Sequence, residues 1–475
     1  MARVLTPADL PAAMDDGPVS AIGLVAFLAL VLTVLGLMHY YIWWRAVRST
    51  TRPGGRGRRI GTWLIVAAYL LTATAQAGVI FISRDLATPL AWIGFSWLGF
   101  AFYFFLFLLL GELVRLGVRV LGHREGAPVA VPAAEPVAVA AERGGVRIAE
   151  RPDRTNESDR KNEAPEPPDP RTGTDPAGGT DRTNPPVIGA DSRDVSRRLF
   201  LSRSIALGAG VASAGVGSYG ISRAMADPVV RRVPVQIAGL DRRLAGFRIA
   251  LFSDAHLGTI RRRSAMEQLV DTVNGTEPDM VAVLGDLIDG SVADLGDDVA
   301  PLADLQSPYG SFFVTGNHEY YSGAQEWVDY LPDLGVRVLS NERLAIERGG
   351  AAFDLAGVTD VTGEDYSDSP DYEAALAGRS PERPVVLLCH QPVDVGKAVE
   401  YGVDLQLSGH THGGQLWPFH YIIAAQQGAL SGLSRINDTQ LYVTSGAGFW
   451  GPPMRVGADP EIVVIELNSR GGPDD

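Results

Sequence analysis

The chain has 475 residues and a formal net charge of −14, with 55 acidic against 41 basic side chains. This balance argues against a nucleic-acid-binding protein, because no large basic field is available to meet phosphates. The single cysteine, Cys389, excludes an internal disulfide framework.

The first quarter of the chain, residues 1–125, has the composition of a membrane domain. It contains three apolar runs of about twenty residues, the length that spans a bilayer: Ala21–Ile42, Trp63–Ile82 and Pro89–Leu110. The loop after the first run is rich in arginine, from Arg45 to Arg59, whereas the loop after the second carries only Arg84, offset by Asp85. By the positive-inside rule, the arginine-rich loop is predicted to be cytoplasmic and the N-terminus to lie outside.

Residues 126–195 are predicted to be a disordered linker. Ala, Pro, Glu, Arg, Asp and Thr dominate this segment. Such a composition cannot bury enough apolar surface to offset the entropy of ordering the chain. A tail that binds partners is the alternative interpretation, and a plain tether is the one we favour.

Residues 196–226 resemble a twin-arginine export signal. Arg197 and Arg198 precede a weakly apolar run rich in Gly, Ala and Ser, and Ala224-Met225-Ala226 has the small residues of a cleavage site. The alternative is a fourth membrane helix. Both interpretations leave the arginines in the cytoplasm and the remaining chain outside, and the first makes the twin-arginine export machinery a partner.

Residues 227–475 are predicted to form one α/β domain, because short apolar runs alternate with helical patterns. The predicted strands are Phe247–Phe252, Met280–Leu284, Ser311–Val314, Val385–Leu388, Val403–Leu407 and Leu441–Thr444. The predicted helices are Arg263–Val273, Ala324–Leu334 and Pro370–Ala377.

Five of these strands end in a polar cluster. The clusters are Ser253–His256, Gly285–Asp289, Gly316–Glu319, Cys389–Pro392 and Gly409–Gln415. Ligand sites of open α/β sheets lie just beyond the carboxyl ends of the strands. The metal-capable groups exceed what one tetrahedral ion needs, so we predict two ions. Any one histidine is more often an ordinary packed or surface residue, but five such clusters argue against chance.

The ordered motifs resemble those of the calcineurin-like metallophosphoesterase superfamily over about residues 240–470. They are DxH from Asp254, GDxxD from Gly285, GNHE from Gly316, His390, and GHTH from Gly409. Gly409–Gln415 and the ending Tyr442–Ile462 most resemble a bacterial branch of membrane-associated or twin-arginine-exported phosphodiesterases, of which some act on lipid-linked nucleotide diphosphates. The resemblance implies a four-layer α/β/β/α sandwich with a dinuclear metal centre.

The resemblance also implies a role for each motif residue. The metal ligands would be Asp254, His256 and His412 for one ion, Asn317, His390 and His410 for the other, and Asp286 as the bridge. The ions are divalent, Mn, Fe or Zn, and would share a hydroxide that attacks phosphorus. His318 would stabilise the phosphoryl oxygens or protonate the leaving alkoxide, with Glu319 or another acid orienting it.

Three residues narrow the range of activities and mechanisms expected for the chain. Gly290 stands where the Ser/Thr phosphatases of the superfamily carry an arginine, and Asp289 stands where purple acid phosphatases carry a tyrosine ligand, so the resemblance argues against both activities. Strand alternation points Cys389 away from His390 and into the core, which predicts a packing residue rather than a thiol nucleophile.

The expected function is a membrane-anchored phosphoesterase that hydrolyses phosphodiester or pyrophosphate bonds outside the cytoplasm. One alternative is a catalytically inactive sensor or binding protein with a phosphoesterase fold, against which the intact motifs argue. Another is a transporter with an accessory phosphoesterase domain. The near absence of charged residues inside the apolar runs argues against transport.

Apolar residues follow the metal loop, and these predict the class of substrate. They are Leu416, Trp417, Pro418, Phe419, Tyr421, Ile422 and Ile423, with a second stretch at Phe449–Met454. Because Trp and Tyr favour the headgroup layer, we predict that both stretches border the site and admit a lipid-linked phosphoester from the membrane. The alternative, that these side chains pack inward over the sheet, stays open.

Overall fold

The computed structural model describes residues 21–124 and 191–469. Within these ranges, four helices are long and apolar enough to cross a membrane. They are α1 (Ala21–Ile42), α2 (Arg56–Phe81), α3 (Arg84–Arg124) and α4 (Asp191–Ala224). The three predicted apolar runs thus lie in helices, and the predicted signal segment belongs to one continuous helix. Most of the predicted linker, residues 126–195, lies outside the described residues, and α4 begins within it.

Helices α3 and α4 pack closely and run antiparallel. A Cβ on Gly111 would lie 2.3 Å from Ile205, and a Cβ on Gly217 would lie 2.2 Å from Phe100. The hydroxyl of Ser213 donates a hydrogen bond to the carbonyl oxygen of Phe100 at 2.6 Å. Small residues at such positions are typical of membrane helices that approach closely.

The α/β domain contains two six-stranded sheets. The strands are β1 (Val229–Ile237), β2 (Phe247–Phe252), β3 (Met280–Val283), β4 (Ser311–Phe313), β5 (Val336–Val338), β6 (Glu342–Arg348), β7 (Ala351–Gly357), β8 (Val385–Leu388), β9 (Leu405–Ser408), β10 (Gly432–Ile436), β11 (Thr439–Val443) and β12 (Glu461–Ser469). The first sheet has the order β1-β12-β2-β3-β4-β5, and the second has the order β10-β11-β9-β8-β7-β6. The pairs β12–β2, β10–β11 and β6–β7 are antiparallel and the others are parallel.

The two sheets pack face to face over a shared apolar core. Leu251 and Ala282 contribute to it from the first sheet, and Leu355 and Leu407 from the second. The helices of the domain are α5 (Arg263–Asn274), α6 (Val292–Val299), α7 (Asn317–Tyr321), α8 (Ala324–Tyr330), α9 (Tyr372–Leu376), α10 (Val395–Glu400) and α11 (His420–Gln427). Residues of α5, α6 and α8 cover the first sheet, and those of α9 and α10 cover the second. The predicted α/β/β/α sandwich is confirmed.

All six predicted strands are present, with ends that agree within two residues. The prediction did not include β1, β5, β6, β7, β10 or β12, of which β1 carries Arg231, Arg232 and Pro234. Proline and charge are tolerated there because β1 is an edge strand that pairs only with β12. The carboxyl ends of β2, β3, β4, β8 and β9 meet at one edge, which is where the polar clusters follow.

The beginning of α3 lies along the α/β domain. Arg84 forms an ion pair with Asp298, and the hydroxyl of Thr88 donates a hydrogen bond to the carbonyl oxygen of Thr259 at 3.0 Å. The helix has 41 residues, which at 1.5 Å per residue is about 60 Å. That length is about twice a hydrocarbon core of ~30 Å. Helix α3 is therefore long enough to cross a bilayer and also to flank the domain.

Candidate metal centre

The residues predicted as ligands lie in loops that follow parallel strands. Asp254 and His256 follow β2, Asp286 follows β3, Asn317 follows β4, His390 follows β8, and His410 and His412 follow β9. The structure brings the aspartates and histidines among them together in overlapping groups, two of which contain all six. Five of them adopt left-handed backbone conformations: Asp254 (φ 56), His256 (φ 45), Asp286 (φ 51), His410 (φ 68) and His412 (φ 51). Such conformations are strained for side-chain-bearing residues and concentrate at functional sites.

The first cluster comprises Asp254, His256 and His412, whose ligand atoms all lie within 4.8 Å of one another. The Nε2 atoms of the two imidazoles face each other at 3.1 Å. Nε2 of His412 lies 3.4 Å from Oδ1 of Asp254. Two ring nitrogens that converge beside a carboxylate form a donor set suited to a divalent transition-metal ion.

The second cluster comprises Asp286, His390 and His410, also within 4.8 Å. Three buried side-chain atoms around it have no hydrogen-bond partner: Oδ1 of Asn317, Nε2 of His390 and Nδ1 of His410. Buried polar atoms are nearly always paired. Three unpaired atoms with lone pairs in one place therefore fit a cation that all of them can coordinate.

Asp286 stands between the two clusters. Its Oδ2 lies 3.3 Å from Nε2 of His390 in the second cluster and 3.8 Å from Nε2 of His256 in the first. Its Oδ1 accepts a hydrogen bond from the backbone N–H of His318 at 2.8 Å. One carboxylate oxygen is thus available to both groups, which is the position of a bridging ligand.

Groups behind the rings set the orientation of two imidazoles. Nδ1 of His390 donates to the carbonyl oxygen of Leu284 at 2.6 Å, and Nδ1 of His256 donates to Oδ1 of Asp289 at 2.9 Å. Each bond fixes a proton on Nδ1 and turns Nε2 toward the cluster. Metal ligation through Nε2 requires this ring orientation, and a bound cation would take the place of any proton on Nε2.

The acid beside His318 is Asp289, and the role predicted for Glu319 needs correction. Nδ1 of His318 lies 2.7 Å from Oδ1 of Asp289. The fully buried carboxylate of Glu319 instead accepts hydrogen bonds from the backbone N–H groups of Gly316 at 2.7 Å and Asp286 at 2.9 Å. Glu319 therefore holds together the loops that follow β3 and β4. Asp289 could have been identified from the sequence, because it is the last residue of the GDxxD motif.

Burial and neighbouring charges shift the pKa values of the cluster residues in different directions. Burial raises the pKa of Asp254. Burial opposes charge on both Asp286 and His390, yet their mutual attraction holds the pKa of the carboxyl well below its usual range and that of the imidazole well above. Burial lowers the pKa of His410 to about 3 and that of His412 well below its usual value. The two latter rings are therefore neutral at physiological pH, as metal ligands must be.

His318 is held in its charged form. Burial opposes its protonation, but the hydrogen bond to Asp289 and the carboxylates of Asp286 and Asp289 raise its pKa to about 9. His318 also belongs to a third group, with His256 and Asp286, whose possible ligand atoms lie within 4.8 Å of one another. Its Nδ1 shares Oδ1 of Asp289 with Nδ1 of His256.

Two further residues bear on the site. Cys389 is buried, and its Sγ lies 3.7 Å from the hydroxyl of Tyr372. Burial raises the pKa of the Cys389 thiol, which is in keeping with a packing residue. Arg455 is 1% exposed, and its Nη2 lies 3.2 Å from Nδ1 of His412. Arg455 falls within the ending Tyr442–Ile462 that contributed to the resemblance, but the sequence analysis did not assign it a role.

Comparison with known proteins gives the same family as the motifs. The calcineurin-like phosphoesterase model matches residues 247–414. An uncharacterized metallophosphoesterase of Helicobacter pylori is 37% identical over 275 residues, 57% of this chain and 72% of that protein. A Bos taurus transmembrane protein with metallophosphoesterase domain is 36% identical over 291 residues, 58% of this chain and 65% of that protein. The metallophosphoesterase YkuE of Bacillus subtilis is 32% identical over 288 residues, 58% of this chain and 99% of that protein. The chain therefore belongs to the calcineurin-like metallophosphoesterase family.

Proposed function

We propose that the chain is a membrane-anchored, metal-dependent phosphoesterase that hydrolyses phosphodiester or pyrophosphate bonds. The observation that carries this proposal is the pair of neighbouring clusters with Asp286 between them, one of which is lined by three unpaired buried atoms. Two divalent ions bound there would lower the pKa of water and clamp the attacking and leaving oxygens of the phosphoryl group. Asp254, His256 and His412 would hold one ion, and Asn317, His390 and His410 the other.

His318 is the proposed proton donor. Asp289 fixes its Nδ1 at 2.7 Å, so the other ring nitrogen, Nε2, is free to face a substrate. A protonated ring can donate to a phosphoryl oxygen as negative charge accumulates, or give its proton to the leaving alkoxide. Asp289 then serves as the positioning residue, because the same Oδ1 also accepts from Nδ1 of His256.

The membrane segments support a catalytic domain outside the cytoplasm. The arginine-rich loop lies between α1 and α2, and α4 begins near Arg197 and Arg198, so both arginine groups would lie on the cytoplasmic side. Helix α4 ends at Ala224, and β1 begins at Val229. Because α4 packs along α3, we infer a retained fourth membrane helix, with the linker inside.

The substrate is proposed to be amphiphilic and to enter from the membrane. Trp417 is 52% exposed, Phe419 41% and Trp450 57%, which supports a rim open to the surroundings at these positions. Phe419 stacks on Phe102 of α3 with ring centroids 5.1 Å apart. The ring of Trp450 lies 5.7 Å from the ring of His318. The aromatic rim, defined as Trp417, Phe419 and Trp450, thus extends from a membrane helix to the proposed proton donor.

The two apolar stretches differ in burial along their length. Leu416, Phe449 and Met454 are buried, as the inward-packing alternative predicts. Tyr421 and Ile422 are exposed, like the residues of the aromatic rim. Exposed apolar side chains that continue the surface of a membrane helix favour contact with lipid. A lipid-linked phosphoester would then keep its acyl chain in the bilayer while its phosphate reaches the clusters.

Replacing the bridging carboxylate tests the proposed function. Asp286→Asn removes the negative charge shared by the two clusters, so we expect full-length protein in detergent to lose metal-dependent hydrolysis of a model phosphodiester. Its thermal unfolding should stay that of a folded protein. Asp271→Asn, on the exposed side of α5, is the matched control and should keep full activity. Near wild-type turnover by Asp286→Asn would exclude the dinuclear assignment.

Replacing the proton donor separates chemistry from metal binding. His318→Ala should retain both metal equivalents by elemental analysis and lose roughly 10²–10⁴-fold in turnover, the usual contribution of a positioned acid or base. Asp289→Asn should also lower turnover, because it removes the carboxylate charge that holds His318 in its protonated form. A lost metal equivalent in His318→Ala would assign His318 to the ligand set instead.

Labelling of introduced cysteines tests the topology. The native Cys389 is buried, so Arg52→Cys in the arginine-rich loop and Asp271→Cys on α5 each supply the reactive thiol. In intact cells, an impermeant thiol reagent should label Asp271→Cys and leave Arg52→Cys unlabelled. Labelling of both would contradict the proposed topology. Lysines in place of Arg197 and Arg198 should leave export unchanged, whereas blocked export would assign the segment to the twin-arginine machinery.

Removing the aromatic rim tests the substrate class. The triple variant Trp417→Ser, Phe419→Ser, Trp450→Ser should hydrolyse a small soluble phosphodiester at the wild-type rate and turn over a phospholipid-like substrate more slowly. The soluble substrate serves as the internal control, because it needs the metal clusters but not the rim. Equal loss on both substrates, or a large fall in melting temperature, would place these residues in the core and remove the argument for a lipid substrate.

A further inference from the structure

A short segment, Met454–Val456, lies between the membrane helices and the metal loop. Met454 is fully buried, and a Cβ on Gly99 of α3 would lie 2.3 Å from its Sδ. A Cβ on Gly220 of α4 would lie 2.9 Å from Cγ2 of Val456. A glycine on each helix therefore makes the space in which this segment sits.

Backbone hydrogen bonds join the same segment to both sides. The N–H of Arg455 donates to the carbonyl oxygen of Gly220 at 2.9 Å. The N–H of Val456 donates to the carbonyl oxygen of Gln415 at 2.8 Å, and the N–H of Trp417 donates to the carbonyl oxygen of Val456 at 2.9 Å. The segment thus pairs with the residues that follow the GHTH motif while it is held by α4.

The guanidinium of Arg455 reaches from this segment into the first metal cluster. Nε donates to the carbonyl oxygen of Gly448 at 2.7 Å, and Nη1 donates to those of Ser445 at 2.8 Å and His412 at 3.2 Å. Nη2 lies 3.3 Å from the carbonyl oxygen of Gly446 and 3.2 Å from Nδ1 of His412. The planar fork therefore ties two loops together, and both loops border the first cluster.

The second of these loops, Ser445–Gly448, contacts Asp254 of the first cluster. The N–H of Gly448 donates to the carbonyl oxygen of Asp254 at 2.9 Å. Gly446 has a φ of +74, and a Cβ there would lie 2.7 Å from Cβ of Asp254. Arg455 consequently fixes the backbone on either side of the first cluster, at His412 and next to Asp254.

Stability alone does not account for a buried guanidinium in this place. Its partners are backbone carbonyl oxygens and one imidazole, so the burial of its charge is only partly offset. A neutral side-chain donor would satisfy backbone carbonyl oxygens without the cost of burying a charge. Residues behind metal ligands, by contrast, change metal affinity or activity by about 10–100-fold when they are mutated.

We propose that Arg455 is a positioning residue through which α3 and α4 hold the first metal cluster, Asp254, His256 and His412, in its binding geometry. The membrane helices are then part of the scaffold of the active site as well as its anchor. This inference rests on the proposed metal-dependent function, and it concerns only the first of the two clusters.

The test compares two glycines of α4 in the full-length protein in detergent. Gly220→Leu pushes Val456 away, whereas Gly215→Leu is the matched control, because nothing lies within 4 Å of a Cβ there. After dialysis against a chelator, wild type and Gly215→Leu should retain two metal equivalents by elemental analysis, and Gly220→Leu should retain one. Two retained equivalents in Gly220→Leu would overturn the coupling to the helices.

Variants of Arg455 separate positioning from stability. Arg455→Met fills the volume but leaves the carbonyl oxygens that accept from the guanidinium without a donor, so the melting temperature should fall moderately. One metal equivalent should be lost at temperatures well below that of unfolding. Arg455→Lys keeps the charge and loses the fork that spans both loops, so it should lose the same equivalent. Amide hydrogen exchange at Ser445–Gly448 should become faster in both. Retention of two equivalents by Arg455→Met would overturn the proposal. So would a loss of metal that appears only at temperatures at which the variant unfolds.

The wild type distinguishes failure of this inference from failure of the proposed function. If wild type binds two equivalents and hydrolyses a phosphodiester while the variants do the same, only the positioning role of Arg455 falls. If wild type binds no metal and is inert, the proposed function falls, and this inference falls with it.

Discussion

Negative charge buried between the ends of two sheets is the constraint on which the site depends. Asp254 and Asp286 are almost fully buried, and a buried carboxylate is unfavourable unless an opposite charge or hydrogen-bond donors accompany it. In the polypeptide alone, His390 and His318 supply positive charge next to Asp286, while His410 and His412 stay neutral. Under the proposed function, divalent cations would add positive charge here and coordinate the ring nitrogens that face the clusters.

The same edge of the domain holds backbone strain in a rigid frame. Left-handed conformations of side-chain-bearing residues cost about 1–3 kcal/mol each and persist only where the surroundings over-determine them. Here the loops support one another. The N–H of Asp254 donates to the carbonyl oxygen of Gly285, and the N–H of His256 donates to that of Asp286, each at 3.1 Å. The N–H of His410 lies 3.1 Å from each carboxylate oxygen of Asp254. Ligands held in this way need little rearrangement to bind an ion.

The membrane helices have a larger part in the architecture than an anchor would need. Helix α3 is about twice as long as a bilayer crossing requires, and it contacts the domain from Arg84 to Tyr103, whose hydroxyl donates to the carbonyl oxygen of Trp417 at 3.1 Å. Substrate access and metal geometry would then both depend on the same helices, one through the aromatic rim and the other through Arg455. Under the proposed function, the catalytic domain would work at the membrane surface in direct contact with these helices.

The sequence by itself determined the elements whose signal is local. Apolar runs identified the membrane helices and the central strands, since burial on both faces leaves near-continuous Val, Leu and Ile. The motifs identified the candidate ligands, because a metal site at strand ends needs particular donors directly after each strand. These parts of the structure could be predicted, down to residues such as Asp286 and His410.

Only the tertiary structure decided which groups meet across the chain. Glu319 is adjacent to His318 in sequence, yet Asp289 is the acid that contacts its ring, because the fold directs Glu319 to backbone N–H groups. Arg455 lies far from His412 along the chain, and its guanidinium contacts His412 in a segment that is hydrogen-bonded to α4. The burial of Leu416 and the exposure of Trp417 likewise follow from where α3 lies. A side chain's partner is set by distance in the folded state, and such distances leave no periodicity or motif in the sequence.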